Sequence, residues 1–338
     1  MVFVTGGTGL LGSYIVLYLL EKGYKVRALK RKSSNFSIIK NVFELYADSN
    51  ASDLFNKIEW VDGDINDIFF IEDALNGINQ VYHCSGVVSY QKKDKEQIFK
   101  VNVEGTANIV NASLKKNIKK FLYVSSIASL GRAEKDTLHT EETIWENSKT
   151  SSPYSISKYL GEQEVWRGIE EGLNAVIINP SIILGLGNTE KGSTKLFTKV
   201  YEGLKFFTDG VNGFVDVRDV AKSAILLMES DVFGDRFIIT GNNVSYKELF
   251  NLIAEKFNVN PPKYRAGAFL SEIYWRADWL VSKLTCREQI VSKGTALTAQ
   301  QKHYYSNEKV KQFINYDFLP IEKTIEDFCS VLIKKFKA

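Results

Sequence analysis

Short apolar runs alternate with longer amphipathic stretches through the first two-thirds of the chain. The runs at Met1–Thr5, Lys25–Lys30, Ile58–Val61, Gln80–Cys84, Phe121–Ser125 and Ala175–Asn179 are rich in Val, Ile, Phe and Tyr. Continuous apolar runs of this length read as strands buried on both faces. Between them, stretches such as Gly9–Lys22 and Gln97–Lys116 carry apolar residues at helical spacing. Strands alternating with helices predict crossover units and a parallel sheet covered on both faces, an α/β doubly wound fold.

After Pro180 the rhythm changes. Ser193–Gly203, Val220–Glu229, Tyr246–Phe257 and Ile321–Lys335 read as helices, and Arg236–Ile239 as another strand. This predicts a main domain over 1–181 with returning elements at about 214–241. A smaller substrate-binding lobe would come from about 182–213 and 242–338. The segment Ser37–Lys57 reads as an insertion whose structure the pattern does not specify. No internal repeat or low-complexity tract interrupts the chain.

Composition narrows the class. Lys and Arg total 43 against 40 Asp and Glu, a formal net charge of +3. That balance, without a run of like charges, argues against a nucleic-acid partner. Cys84, Cys286 and Cys329 are widely spaced and form neither a disulfide framework nor a zinc pattern. His139 and His303 lack metal-like spacing, so no metal is expected. The N-terminal run is broken at once by glycines and has no basic leader. No uncharged stretch reaches the roughly 18 apolar residues of a membrane span. The expectation is a cytoplasmic protein.

The first strand leads through Gly6, Gly9 and Gly12 into a helix. In that context Gly6 permits the tight turn, Gly9 lets the backbone approach a phosphate, and Gly12 lets helix and strand pack closely. The helix N-terminus offers unpaired N–H groups and a partial positive charge suited to a pyrophosphate. No Lys-Ser/Thr follows, so this is not a P-loop. The second strand ends in "RALKRKSS", and no acid occurs between Glu21 and Glu44. An NAD site usually has an acid there for the ribose hydroxyl. Arg31, with Lys32 and Ser33 beside it, suits a 2′-phosphate instead. NADP(H) is therefore preferred, with NAD(H) the alternative.

Tyr154 and Lys158 stand one turn apart at a helix start and share a face. A free tyrosine, with a pKa of about 10, is a poor proton donor at neutral pH. Opposite charges about 5 Å apart attract by roughly 3 kcal/mol at an effective dielectric near 20, or about two pKa units. Ser125 and Ser126 end a strand, and carboxyl ends of strands are where ligands bind in an open parallel sheet.

Together these residues resemble the extended short-chain dehydrogenase/reductase superfamily. The matching features are Thr5 to Gly12, Asp64-Ile65, His83-Cys84-Ser85-Gly86, Asn102 to Thr106, Ser125-Ser126, Tyr154 to Lys158 and Asn179-Pro180-Ser181. They occur in family order over residues 1–181, and "FVDVRDVAKSAI" at 214–225 matches a further signature. The resemblance implies a Rossmann fold. It implies a cofactor site formed by Gly6, Thr8, Gly9, Leu10, Leu11, Gly12, Arg31, Lys32, Ser33, Asp64, Ile65, Cys84, Ser85, Gly86, Asn102, Tyr154, Lys158, Pro180 and Ser181. Tyr154 would be the general acid, Lys158 would lower its pKa and hold the nicotinamide ribose, and Ser126 would orient the substrate carbonyl. Many members have two alanines near Cys84-Ser85-Gly86; Ser and Gly are also small. Asp216, Arg218 and Asp219 read as a salt-bridged helix cap, and Val87, Ser89 and Tyr90 as lining of the substrate cleft. Relatives often form homodimers through the helices at 102–116 and 154–171.

Within the superfamily the chain is most similar to the dihydroflavonol 4-reductase-like group, through its second strand and the segment at 297–318. The implied activity is NADPH-dependent reduction of a carbonyl on a small organic substrate, or oxidation of the matching alcohol. A sugar-nucleotide epimerase or dehydratase is the alternative; those enzymes usually carry the acid missing here. Dehydratases also place Thr-Asp-Glu where Ser126-Ile127-Ala128 stands. A cofactor-binding protein without turnover and a 3β-hydroxysteroid-dehydrogenase-like enzyme remain further alternatives. The helix-like segment 269–285 could pack in the smaller lobe, cover the substrate or lie on a membrane surface.

Overall fold

The computed structural model describes residues 1–48, 50–131, 138–146, 151–190, 192–285 and 298–337. Seven of the apolar runs form one sheet. Its strands are β1 (Val2–Thr5), β2 (Val26–Lys30), β3 (Glu59–Asp62), β4 (Gln80–His83), β5 (Lys120–Val124), β6 (Ala175–Pro180) and β7 (Asp235–Ile239). Their order across the sheet is β7-β6-β5-β4-β1-β2-β3, and every neighbouring pair is parallel. Alternate residues serve opposite faces. Val2, Val4, Tyr82, Leu122, Val176 and Ile178 join a core with α1 (Leu10–Glu21) and the Val217–Glu229 helix. Phe3, Val81, Phe121, Tyr123 and Ile177 join the core of the other face, with the Gly105–Lys115 and Pro153–Glu170 helices. Two apolar faces on every central strand explain why these runs show no polar alternation.

Beyond the main sheet, Ile182–Leu184, Val211–Asp216 and Asn242–Ser245 form a three-stranded sheet. Phe206–Phe207 pairs with Tyr264–Arg265, and Leu138–His139 with Tyr304–Tyr305. Element boundaries depart from the sequence pattern where caps decide them. The helix expected at Val220 starts at Val217, because the Asp216 side chain accepts from Arg218 N and caps it. The stretch expected to be one helix from Gln97 begins at Lys95 and passes through a π-helical turn at Lys100–Glu104. The insertion at 37–57 forms two helices, Ser37–Tyr46 and Ala51–Asn56. They hold Phe36, Phe43, Phe55 and Trp60 in edge-to-face contacts.

The segment 269–285 lies within a helix, Ala268–Thr285, on which Leu270, Ile273 and Val281 are exposed. Cys84 and Cys329 are free thiols, and Cys286 lies outside the described residues. Among the described residues no helix is long and apolar enough to cross a membrane.

Candidate active site

β1 ends at Thr5, and the chain turns through Gly6 into α1. Gly6 has φ of +70°, and a Cβ there would lie 2.8 Å from the Cys84 carbonyl carbon. Only glycine allows that backbone conformation beside β4 without strain. A Cβ on Gly12 would overlap the Gly6 carbonyl oxygen, so α1 can pack on the turn only because Gly12 has none. Above the turn lies a groove of about 180 Å³. It is bordered by Gly6, Thr8 and Gly9, by Arg31 and Ser34, by Asp64 and Ile65, and by Cys84, Ser85 and Gly86. A Cβ on Gly86 would meet only Asn102 Oδ1, at 3.5 Å, so the groove is open there for want of a side chain.

The basic end of β2 is only partly available to an anion. Arg27 pairs with Glu59 and Lys30 with Asp62. Arg31 stays on the groove wall, and among the described residues no acid pairs with it. Ser34 N donates to the Arg31 carbonyl, and Ser34 Oγ accepts from Arg31 N at 2.9 Å. This turn brings Ser34 onto the wall. Lys32 and Ser33, the residues expected there, are exposed and do not border the groove.

Other expected cofactor residues lie beside the groove rather than on it. Leu11 is core, and Leu10 reaches toward Gly185. Asn102 is buried in the π turn with its amide fully committed. Its Oδ1 accepts from Val87 N at 2.8 Å, and its Nδ2 donates to Val87 O and Ser157 Oγ, both at 3.0 Å. It ties the loop after β4 to the Tyr154 helix. Pro180 ends β6 and Ser181 follows it; the Ser181 hydroxyl is buried without a partner, as is that of Thr240. Ser181 Cβ and Thr240 Oγ1 both flank Gly213.

Ser152 caps the Pro153–Glu170 helix through Ser155 N, and Pro153 fits its first turn. That start sets Tyr154 in the first turn and Lys158 one turn on. Tyr154 is 9% exposed, and its ring lies 5.7 Å from that of Tyr90. Burial pushes its phenol well above the usual tyrosine value; the Tyr90 phenol adds to this and a hydrogen bond with Ser126 opposes it. Ser126 Oγ accepts from Ala128 N at 3.1 Å, leaving its own proton to donate.

Lys158 differs from expectation. Its ammonium donates to the Tyr123 hydroxyl at 3.0 Å and to Val124 O at 2.8 Å, not to Tyr154. With the ammonium directed to Tyr123 and Val124, burial decides the state of Tyr154, whose phenol lies above rather than below the ordinary tyrosine value. Burial lowers Lys158 to about 8, while Glu162 and Cys84 pull it upward. Tyr123 stacks on His83, whose ring nitrogens bond Thr5 and Thr106. Burial, with the Lys158 charge, holds His83 down at about 3, so it is neutral.

Sequence spacing did not reveal Tyr123 or Glu162. Glu162 carried a signal, since it falls four residues after Lys158 and eight after Tyr154. Of the residues read as lining the substrate cleft, Tyr90 contacts Tyr154, Val87 borders the groove, and Ser89 donates to Asp94. Asp216 and Arg218 form the cap and ion pair read from the sequence, and Asp219 accepts from Tyr316 and Leu319 N. His139 and His303, far apart in sequence, meet at 3.3 Å beside Tyr305. Among the described residues no group of three or more His, Cys, Asp or Glu could hold a metal ion.

The model of the NAD dependent epimerase/dehydratase family matches residues 2–239. The chain belongs to that family. Its curated relatives include reductases. A putative dihydroflavonol 4-reductase of Synechocystis is 29% identical, covering 92% of this chain and 88% of the relative. Anthocyanidin reductase of Arabidopsis thaliana is 26% identical, covering 93% of each. Among solved structures, gox2253 superposes with a TM-score of 0.79 at 28% identity, covering 97% of this chain and 96% of that one. The UDP-glucose 4-epimerase of Thermotoga maritima gives 0.78 at 19% identity over 99% of each chain, a likeness of fold alone. As a family member with reductase relatives, this chain is an NAD(P)-dependent oxidoreductase of the extended short-chain dehydrogenase/reductase type.

Proposed function

We propose that the protein reduces a carbonyl group of a small organic substrate with NADPH, Tyr154 donating the proton. The observation that carries this reading is the state of Tyr154. It is a buried, neutral phenol that shares a hydrogen bond with Ser126 at the carboxyl end of β5. Burial keeps the phenol protonated until the reaction but also makes it a weaker acid than a free tyrosine, which the charge of Lys158 one turn on would offset. Ser126 Oγ accepts from Ala128 N, so its one proton serves Tyr154 until substrate binds and would then turn to the substrate oxygen. The reductase relatives support reduction over the sugar-nucleotide alternative.

The residues fit the cofactor. Gly6, Thr8 and Gly9 would hold the pyrophosphate at the N-terminus of α1. Arg31 and Ser34 would hold the 2′-phosphate, and Asp64 and Ile65 the adenosine end. Lys158 would hold the nicotinamide ribose, with Pro180 and Ser181 beside the ring. The bound cofactor supplies the hydride; the chain supplies the proton at Tyr154 Oη and the orientation at Ser126 Oγ. Residues 182–213 and 242–338 would form the substrate lobe over it.

The test is NADPH consumption by purified protein against a panel of ketones and aldehydes, with deuterium transfer from labelled NADPH to the product. Stoichiometric transfer is expected. Conversion of a sugar nucleotide without net NADPH loss would replace this reading with epimerisation.

A further inference from the structure

Glu162 is a buried carboxylate that the chemistry above does not use. It follows Lys158 by one helical turn and Tyr154 by two, so the three share a face. Its side chain is 2% exposed. Oε2 accepts from Ser125 Oγ and Ser129 Oγ, each at 2.6 Å, and from Asn179 Nδ2 at 2.8 Å. Oε1 accepts from Arg236 Nη1 at 3.1 Å and Trp166 Nε1 at 3.4 Å. A carboxylate this far from water persists only when it is paired and hydrogen-bonded.

The donors are not arbitrary. Ser125 and Ser129 bracket Ser126. Asn179 Nδ2, besides bonding Glu162, lies 3.2 Å from the Ser126 carbonyl. The turn that presents Ser126 is therefore fastened from both sides to one carboxylate. We propose that Glu162 is a positioning residue that fixes the Ser126 turn and sets a negative charge one helical turn from Lys158 on the same face, touching neither substrate nor cofactor. Its catalytic meaning rests on the reading of Ser126, Tyr154 and Lys158 given above.

The groups facing Lys158 single Glu162 out. From its own helix come Tyr154 and Glu162, from β5 the Tyr123 hydroxyl and Val124 O, and from the end of β4 His83 and Cys84. His83 is neutral, and burial pushes the Cys84 thiol up to about 12 and both phenols above their usual value. Glu162 is the anion among them, and Arg236 is the cation set against it. Removing the Glu162 charge should make Lys158 lose its proton at lower pH. Removing the Arg236 charge should do the opposite.

The experiment is an NMR titration of full-length, cofactor-free protein carrying carbon-labelled lysine side chains, with the Lys158 signal assigned by its loss in Lys158→Met. Glu162→Gln should move the Lys158 midpoint down by about one pH unit or more. Arg236→Gln should move it up. An unmoved midpoint in Glu162→Gln, or a shift of the same sign in both variants, overturns the proposal. If Glu162→Gln fails to fold, Arg236→Gln decides alone, and no rise in its midpoint is fatal. The alkaline limb of turnover should follow the same shifts. A midpoint that moves while the turnover limb stays would overturn the catalytic reading of Lys158 and leave the assignment of Glu162 to its charge standing.

Discussion

The Lys158 ammonium donates to the Tyr123 hydroxyl, 3.0 Å away and 35 residues earlier in the chain, and not to the tyrosine one turn before it. Tyr123 is fully buried, and its phenol is pushed up by burial and by Glu162, so it accepts as a neutral group. A hydrogen bond to the charged form of a group favours that form. Tyr123→Phe keeps the ring that stacks on His83 and removes one of the two acceptors. The alkaline limb of the kcat profile should move to lower pH. An unmoved limb would mean that Lys158 leaves Tyr123 when the cofactor is bound.

Tyr154→Phe preserves the ring against Tyr90 and removes the proton. NADPH binding, followed by fluorescence, should be retained. Turnover should fall by about 10²- to 10⁴-fold, the usual worth of a positioned general acid. A variant with near-normal turnover would assign the proton to another group.

Arg31→Ala addresses the cofactor phosphate. A charge-assisted bond is worth about 1.5–3 kcal/mol, so NADPH affinity should drop about ten- to a hundredfold while NADH affinity changes little. Lys32→Ala and Ser33→Ala, outside the groove, should have smaller effects. Equal losses for both cofactors with Arg31→Ala would remove that residue from the phosphate site.

The buried Lys158 also leaves a mark on stability. Its proton is held to about 8 in the folded protein, against an ordinary lysine value of 10.5. Between those limits the unfolded chain binds more protons, so this residue makes stability rise with pH across that window. The contribution is about 3 kcal/mol at most. The difference in unfolding free energy between wild type and Lys158→Met should move in favour of wild type from pH 8 to 10.5, measured by denaturant titration. A flat difference would mean that the ammonium is well solvated.

Gly12→Ala tests the turn itself. The added methyl would overlap the Gly6 carbonyl oxygen, a clash with backbone rather than with a movable side chain. Expression and thermal unfolding should show a loss of well over 1 kcal/mol, the scale at which overpacking begins. Normal stability would show that α1 can shift without cost.

The strands and the glycine turn were legible because each leaves a local trace: a two-faced apolar run, or a glycine where a Cβ cannot fit. The Tyr154–Lys158 spacing was legible for the same reason, being set by one helical turn. What the ammonium bonds was not, since Tyr123 arrives from β5 and no spacing within the helix encodes it. Ser34 replaces Lys32 and Ser33 on the groove wall because a tight turn folds back at Arg31, a one-residue distinction that a basic pattern does not carry. Asn102 read as a cofactor residue; its amide is spent on Val87 and Ser157, contacts between segments far apart in sequence. The insertion at 37–57 was hard to read because its two helices are short: the first buries only Ile39, Val42 and Phe43, and aromatic contacts with Phe36 and Trp60 outside the helices complete the packing.

Arg218 bonds Asp216 beside it and Asp327 in the C-terminal helix, 109 residues later. That bridge bears on how the protein is made. The middle strand of the three-stranded sheet ends at Asp216, and its brace is supplied by a helix that spans Ile321–Lys337. A ribosome must therefore release the 109 residues from Arg218 to Asp327 before this corner can close. Until then the apolar surface that Phe328 and Leu332 will cover stays open, and such transiently exposed surface is where a folding chain aggregates.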